Sequence, residues 1–395
     1  MSDVFLITGS SNGVGFECAK ALARFRKGRI ILACRNVELA NQRKAELCNI
    51  EMYDESKVIV LPEPLDLSEI DSVRTYATSL KKYLTTSNLR IKCLINNAGI
   101  GGNVLFKKNS LDYDLIWATN HLGHFLLTLL ILPFIDERII NVSSEVHDPS
   151  GEHNLPDPEN GWPSLSATSA EEYDNVICKG LATEGDNEYK ACIRRYTRSK
   201  LCNVYFTHEL ARRLSNAIPK FIEREEVKAA YESLPKVSCT LSKAKEIKVV
   251  AFNPGLMLDT MFVTNSINSA WLANTLWFLS PGIKNLLPVG NLMRDSRTSG
   301  ERMAKLAFGA IESDATAAFF SDEKSKPSSR FSRSIEGIKH QVELWNNSIR
   351  WAKITDDELI QAGLKIPTST TTPSKISETP TLIGLVGALP SALGI

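Results

Sequence analysis

The sequence predicts an α/β fold in which a doubly wound parallel sheet carries helices on both faces. Three observations lead there. Short apolar runs alternate strictly with amphipathic stretches from residue 3 to residue 143. The first apolar run breaks at once into a glycine-rich turn, Thr8-Gly9-Ser10-Ser11-Asn12-Gly13-Val14-Gly15. Two further apolar runs after residue 247 resume the rhythm. Such alternation builds parallel strands joined by right-handed crossovers. The expected result is a Rossmann-type sheet of seven strands with two insertions.

Taken in order, DVFLIT (3–8) is a buried strand closed by Gly9. FECAKALARFRKG is an amphipathic helix ended by Gly28. RIILAC (29–34) is strand two and NVELANQRKAELCNI the next helix. KVIVLP (57–62) is strand three, followed by a helix for which Ser68 is the expected N-cap. IKCLIN (91–96) is strand four, residues 110–135 a long helix, and RIINVS (138–143) strand five. The rhythm then stops. Residues 145–195 are rich in Pro, Gly, Ser, Asp and Glu, which marks an insertion over the carboxyl edge of the sheet. Leu201, Val204, Tyr205, His208, Leu210 and Leu214 recur at helical spacing, so the stretch beginning at Tyr196 is a helix. Residues 217–246 are charged and partly helical, a second insertion. KVVAFNPG (248–255) is strand six, TSGERMAKLAFGAI a helix, ATAAFFS (315–321) strand seven and 333–353 a last helix. Residues 1–353 thus form one domain, and the Thr/Ser/Pro-rich residues 354–395 are expected to be disordered.

Composition narrows the function. Hydrophobic residues make up 43% and charged residues 23%, as in a soluble globular chain. A net charge of +1 gives no case for nucleic acid. Eight scattered cysteines without a Cys-x-x-Cys pair indicate reduced thiols, hence an intracellular and most simply cytoplasmic protein. Six histidines show no metal-binding spacing, so no metal is expected. No cleavable signal or transit peptide is expected before the first strand. Residues 121–135 read as a buried helix rather than a membrane span, being short and broken by Pro133. The apolar segment 261–293 and the uncharged tail 381–395 are the two candidates for peripheral membrane contact.

The glycine-rich turn carries the first chemical signal. Gly9, Gly13 and Gly15 let backbone approach a pyrophosphate. Ser11, Asn12 and Val14 lie on the same turn, where the following helix presents its N-terminus to negative charge. Twenty residues past Gly15, at the end of strand two, an NAD site wants an acid; the chain has Arg35. A forked guanidinium there, beside the Ser11 hydroxyl, suits a 2′-phosphate, and NADP(H) is the expected cofactor. Asp66, with Leu67 beside it, lies beyond strand three, where a carboxylate can accept from the adenine amino group. Asn97-Ala98-Gly99 makes a tight turn along the adenosine ribose. Tyr196 and Lys200 are four apart on one helix face, and an ammonium there is expected to lower the phenol pKa. Tyr53 and Lys57 repeat that spacing before strand three.

Together, TGxxxGxG, Asp66, Asn96-Asn97-Ala98-Gly99, Asn120, Ser144, Tyr196/Lys200 and Asn253-Pro254-Gly255 resemble the short-chain dehydrogenase/reductase family, in its order. LDLSEIDSVR, TNHLGHFLL and YTRSKLCNVYFTHELARRL are similar to retinol dehydrogenases and light-dependent protochlorophyllide reductases. The resemblance implies Tyr196 as general acid/base and Lys200 as the residue that tunes it and holds the nicotinamide ribose. It implies Ser144 polarising the substrate oxygen and Asn120 holding a water on the way to Lys200. Pro254, Gly255 and Thr260 would shape the nicotinamide site. The implied activity is exchange of an alcohol and a carbonyl on a fairly large apolar substrate. Homo-oligomers would pair through the long helix at 110–135 and the Tyr196 helix. Three departures stand out. Ser144 and Tyr196 are 52 residues apart, Asp259 precedes Thr260, and Leu256 stands where protochlorophyllide reductases carry cysteine. The last argues against ring reduction in light. A chain that binds NADPH without catalysis is the other alternative.

Overall fold

The computed structural model describes residues 3–101, 106–149, 157–159, 162–163, 170–182, 184–237, 239–255 and 294–365. Its strands are β1 (Val4–Thr8), β2 (Arg29–Ala33), β3 (Val58–Ile59), β4 (Ile91–Asn96), β5 (Ile135–Val142), β6 (Lys248–Asn253), β7 (Ala318–Ser321) and β8 (Lys324–Lys326). They form one sheet in the order β3-β2-β1-β4-β5-β6-β7-β8. Seven strands are parallel and β8 returns antiparallel to β7. The expected seven-stranded sheet therefore has an eighth, edge strand. Its sequence, Lys-Ser-Lys, offers no apolar run to read, and lysines are what a protected edge carries.

Both faces of the sheet are covered, which is why its strands are apolar throughout. Side chains alternate: Val4 and Leu6 point into one core with Ile31, Leu94 and Ile139, while Phe5 and Ile7 point into the other with Ile30, Ile95 and Ile140. Helix α1 (Gly13–Arg24) covers the second face beside a later helix, Ser296–Ala307. Gly300 makes that crossing close, since a Cβ there would meet the Cys18 amide at 2.6 Å. Helices α2 (Val37–Ile50) and α3 (Ile70–Thr86) follow β2 and β3. Helix α3 starts from Glu69 with no side-chain cap. Ser68, the expected cap, instead donates its hydroxyl to Asp66 Oδ1 at 2.6 Å.

Helix α4 runs over Leu115–Phe134 and contains a π-turn at Ala118–Leu122. At 20 residues it is long and apolar enough to cross a bilayer, but 89% of its most apolar window is buried in the fold. It is a core helix, as expected, but it starts at Leu115 rather than at residue 110. Each leucine it buries contributes about 1.5–3 kcal/mol. Helix α5 (Glu188–Ser215) carries Tyr196 and begins inside the stretch expected to be an insertion. That stretch also contains a helical segment at Ala170–Cys178. Helix α6 (Glu225–Ser233) lies in the second insertion, and α7 (Ser296–Ala307) and α8 (Ile335–Trp351) complete the layers. The tail expected to be disordered from residue 354 begins with another helix, α9 (Asp356–Gln361), entered through a Thr355/Glu358 capping box. Arg74 on α3 pairs with Glu358 and so ties α9 to the domain. The segments 261–293 and 381–395 lie outside the described residues.

Candidate active site

Strands β1, β4, β5 and β6 end side by side, and their carboxyl ends carry the residues that matter. The strand order reverses between β1 and β4, the position where open α/β sheets bind ligands. Gly9 turns there with φ +64°, and a Cβ on it would stand 2.7 Å from Ala98 Cα. A Cβ on Gly15 would strike the Asn97 amide. The Thr8 hydroxyl accepts from the backbone N–H of Asn97 (2.9 Å) and Ala98 (3.0 Å). Asn97 Nδ2 donates back to the Thr8 carbonyl at 2.8 Å. Asn97 and Ala98 thus lock the glycine turn, and Asn97's amide is engaged with protein. Helix α1 begins at Gly13 with no acidic side chain in its first turn, so its amides favour an anion. The cradle fits a dinucleotide pyrophosphate.

Arg35 stands exposed just past β2. A second arginine, not anticipated, reaches the same turn. Arg43 on α2 donates from Nε to the Ser11 carbonyl (2.9 Å) and from Nη2 to Asn12 Oδ1 (3.3 Å), with its guanidinium 5.2 Å from the Phe16 ring centre. The signal was present in the sequence: Ala40, Arg43 and Leu47 share one helical stripe, and Ala40 and Leu47 are buried. Asp66 Oδ1 closes a turn on the Ser68 N–H at 3.0 Å. Leu67 is buried, with its carbonyl against Gly123 of α4.

The four residues expected to do chemistry converge below this cradle. Ser143 at the end of β5 donates to the Lys200 carbonyl at 2.8 Å and so fixes α5 against the strand. Lys200 Nζ donates to the Val142 carbonyl at 3.2 Å and lies 5.6 Å from the centre of the Tyr196 ring. Burial pulls the Lys200 ammonium down to about 8. Burial also holds the Tyr196 phenol above its ordinary range, and a hydrogen bond with the Ser144 side chain acts the other way. The phenol is raised rather than lowered, because desolvation by burial is the dominant influence on it. Asn120 sits in the π-turn of α4. Its amide donates to the Ile100 carbonyl (3.0 Å) and to Ser199 Oγ (2.9 Å), and its Oδ1 accepts from the Ile100 N–H (2.8 Å). Its backbone carbonyl accepts from His124 Nδ1 at 3.1 Å. His124 Nε2 takes the Thr8 hydroxyl at 2.8 Å, linking the π-turn to the glycine turn. Burial lowers His124 to about 4, so the ring is neutral. The sequence offered no chemical reason to single it out.

On the far side, Gly255 turns with φ +87° against the stem of Arg294, and Ser299 Oγ donates to the Pro254 carbonyl at 2.6 Å. Thr260 lies outside the described residues. The Tyr53 copy of the motif is elsewhere: its hydroxyl donates to the Gly28 carbonyl at the amino end of β2, away from the other four residues.

A model of the short chain dehydrogenase family matches residues 3–154. Over that span the chain resembles the short-chain dehydrogenase/reductase family. Among its relatives, human retinol dehydrogenase 11 is 35% identical over 219 residues, covering 54% of this chain and 57% of the relative. The chicken WW domain-containing oxidoreductase is 31% identical over 217 residues, covering 54% and 45%. The short-chain dehydrogenase TIC 32 B, chloroplastic, of Brassica napus is 38% identical over 154 residues, covering 36% and 44%. The chain thus spans about half the length of these relatives. In fold, it superposes on the crystal structure of an uncharacterized protein from Mycobacterium paratuberculosis with a TM-score of 0.52 and 24% identity, over 89% of this chain and 93% of that one.

Proposed function

We propose that this protein is an NADP(H)-dependent oxidoreductase that interconverts an alcohol and a carbonyl on a fairly large apolar substrate. The observation that carries the reading is the Ser144–Tyr196 hydrogen bond with Lys200 Nζ beside the Tyr196 ring, at the sheet edge that also holds the glycine cradle. Arg35 and Ser11 would hold the 2′-phosphate, Gly9, Gly13 and Gly15 the pyrophosphate, and Asp66, Leu67 and Asn97-Ala98-Gly99 the adenosine. Pro254, Gly255 and Thr260 would border the nicotinamide, which supplies or accepts the hydride when bound.

The chain's own part is proton handling and charge stabilisation. Ser144 donates to the carbonyl oxygen as negative charge develops on it. Tyr196 delivers the proton that completes the alcohol, and takes it back in the reverse direction. Lys200 and the Asn120 turn recharge the phenol. Similarity to retinol dehydrogenases supports an apolar substrate. The test is NADPH oxidation with a panel of retinoid, steroid and long-chain carbonyls. Turnover is expected with at least one, and a Tyr196→Phe enzyme with undiminished turnover overturns the mechanism.

A further inference from the structure

His147 is buried three residues after Ser144 and contacts no other residue assigned a role above. Its Nε2 lies 3.1 Å from the backbone N–H of Ser329, in the stretch between β8 and α8. Its Nδ1 lies 2.6 Å from the Ser144 carbonyl oxygen. A backbone N–H can only donate, so Nε2 must be bare and Nδ1 must carry the proton. That proton points at a carbonyl, which can only accept. The two bonds therefore assign one neutral tautomer. The ring packs against Phe319 of β7, with centroids 4.6 Å apart and planes tilted by 50°. Burial lowers the imidazole's proton affinity and keeps the ring neutral. Ser144 is also the N-cap of the short turn Glu145–His147, so the imidazole bonds back to the residue that opens its own turn.

We infer that His147 is a positioning residue, an imidazole brace between the Ser329 amide and the Ser144 carbonyl that aims the Ser144 hydroxyl at Tyr196 and the substrate oxygen. The inference rests on Ser144 acting as proposed above. The neighbouring residue is braced from the same wall: Glu145 Oε1 accepts from Ser321 Oγ at 2.6 Å, and Ser321 Oγ accepts from Asn253 Nδ2 at 3.1 Å. The loop that carries Ser144 is thus held at two points by the segment from β7 to the turn after β8. A catalytic hydroxyl held to within a fraction of an ångström depends on such outer contacts.

The experiment compares Ser144→Ala, His147→Asn, His147→Gln and the parent protein with NADPH and all-trans-retinal. Asparagine places an amide donor where Nδ1 stands, and glutamine places one where Nε2 stands. His147→Asn is expected to stay within threefold of the parent in kcat. His147→Gln is expected to lose tenfold or more in kcat, with KM and NADPH affinity within twofold and an unchanged unfolding midpoint. Equal activity of the two variants, in either direction, overturns the brace. Ser144→Ala separates the layers: if it is fully active the proposed mechanism fails, and if it is inactive while His147→Gln is normal only the brace fails. Nitrogen-15 spectra of the histidine-labelled protein, assigned with His147→Asn, decide the hydrogen bonds without turnover. Nδ1–H with bare Nε2 is expected, and Nε2–H overturns it.

Discussion

Lys200 Nζ lies 5.6 Å from the centre of the Tyr196 ring while donating to the Val142 carbonyl at 3.2 Å. The ammonium is therefore anchored to a strand end and set over the phenol ring. Burial lowers Lys200 to about 8 from 10.5. The folded protein then binds fewer protons than the unfolded chain between those values, so stability rises with pH across that window. The contribution is complete above pH 10.5 and gone below pH 8, and amounts to about 3 kcal/mol by the size of the shift. Urea unfolding at pH 7.5, 9 and 10 should show this rise in the parent relative to Lys200→Met. Parallel curves for the two proteins would refute it.

Tyr196→Phe keeps the ring and removes the proton carrier. It should lower kcat by a factor of about 10² or more, the usual worth of a positioned acid/base, with NADPH affinity unchanged. Steady-state kinetics alongside nucleotide fluorescence titration checks both halves.

The two arginines at the cradle should behave differently. Arg35 is exposed at the end of β2, whereas Arg43 is bonded to Ser11 and Asn12 of the turn itself. Arg35→Asp should shift preference from NADPH toward NADH by tenfold or more. Arg43→Ala should weaken both nucleotides to a similar extent, because it loosens the turn that both would share. Titrating each variant with both nucleotides tests this; an Arg43→Ala protein that loses NADPH alone would move Arg43 into the 2′-phosphate site.

Beneath the site the strands are tied by amides. Asn96 Nδ2 donates to Asn141 Oδ1 at 2.8 Å and to Thr128 Oγ1 at 2.9 Å, and Asn141 Nδ2 donates to Thr207 Oγ1 at 3.0 Å. All four residues are buried. Asn141→Ala removes one of two partners from Asn96 Nδ2 and from the Thr207 hydroxyl, which keep Thr128 and the Asn203 carbonyl, and should cost about 1–3 kcal/mol. Denaturant unfolding measures it, and an unchanged midpoint would mean that water replaces the lost partner.

Much of this protein was legible in its amino acids. Strands such as VFLIT and IKCLIN are apolar runs bounded by turn residues, and that pattern needs no partner to be read. Order along the chain separated Tyr196 from its copy at Tyr53, because only Tyr196 follows a serine after strand five. Weakly patterned pieces escaped. The Lys-Ser-Lys edge strand exists only because β7 offers it hydrogen bonds, and α9 starts in a stretch whose composition resembles the tail beyond it.

The sequence by itself determined the alternating sheet, the glycine turn and the placing of Tyr196 and Lys200 one turn apart on a helix, because local periodicity and residue order encode them; the part proposed for Ser144 came from the family resemblance. Tertiary structure alone decided what surrounds them. Arg43 reaches the glycine turn across a helix, His124 joins Thr8 to Asn120 across 116 residues, and His147 meets Ser329 across 182. Such contacts depend on which faces pack together. Burial then sets the proton affinities, so Tyr196 rises and Lys200 falls where spacing alone predicted only their mutual effect.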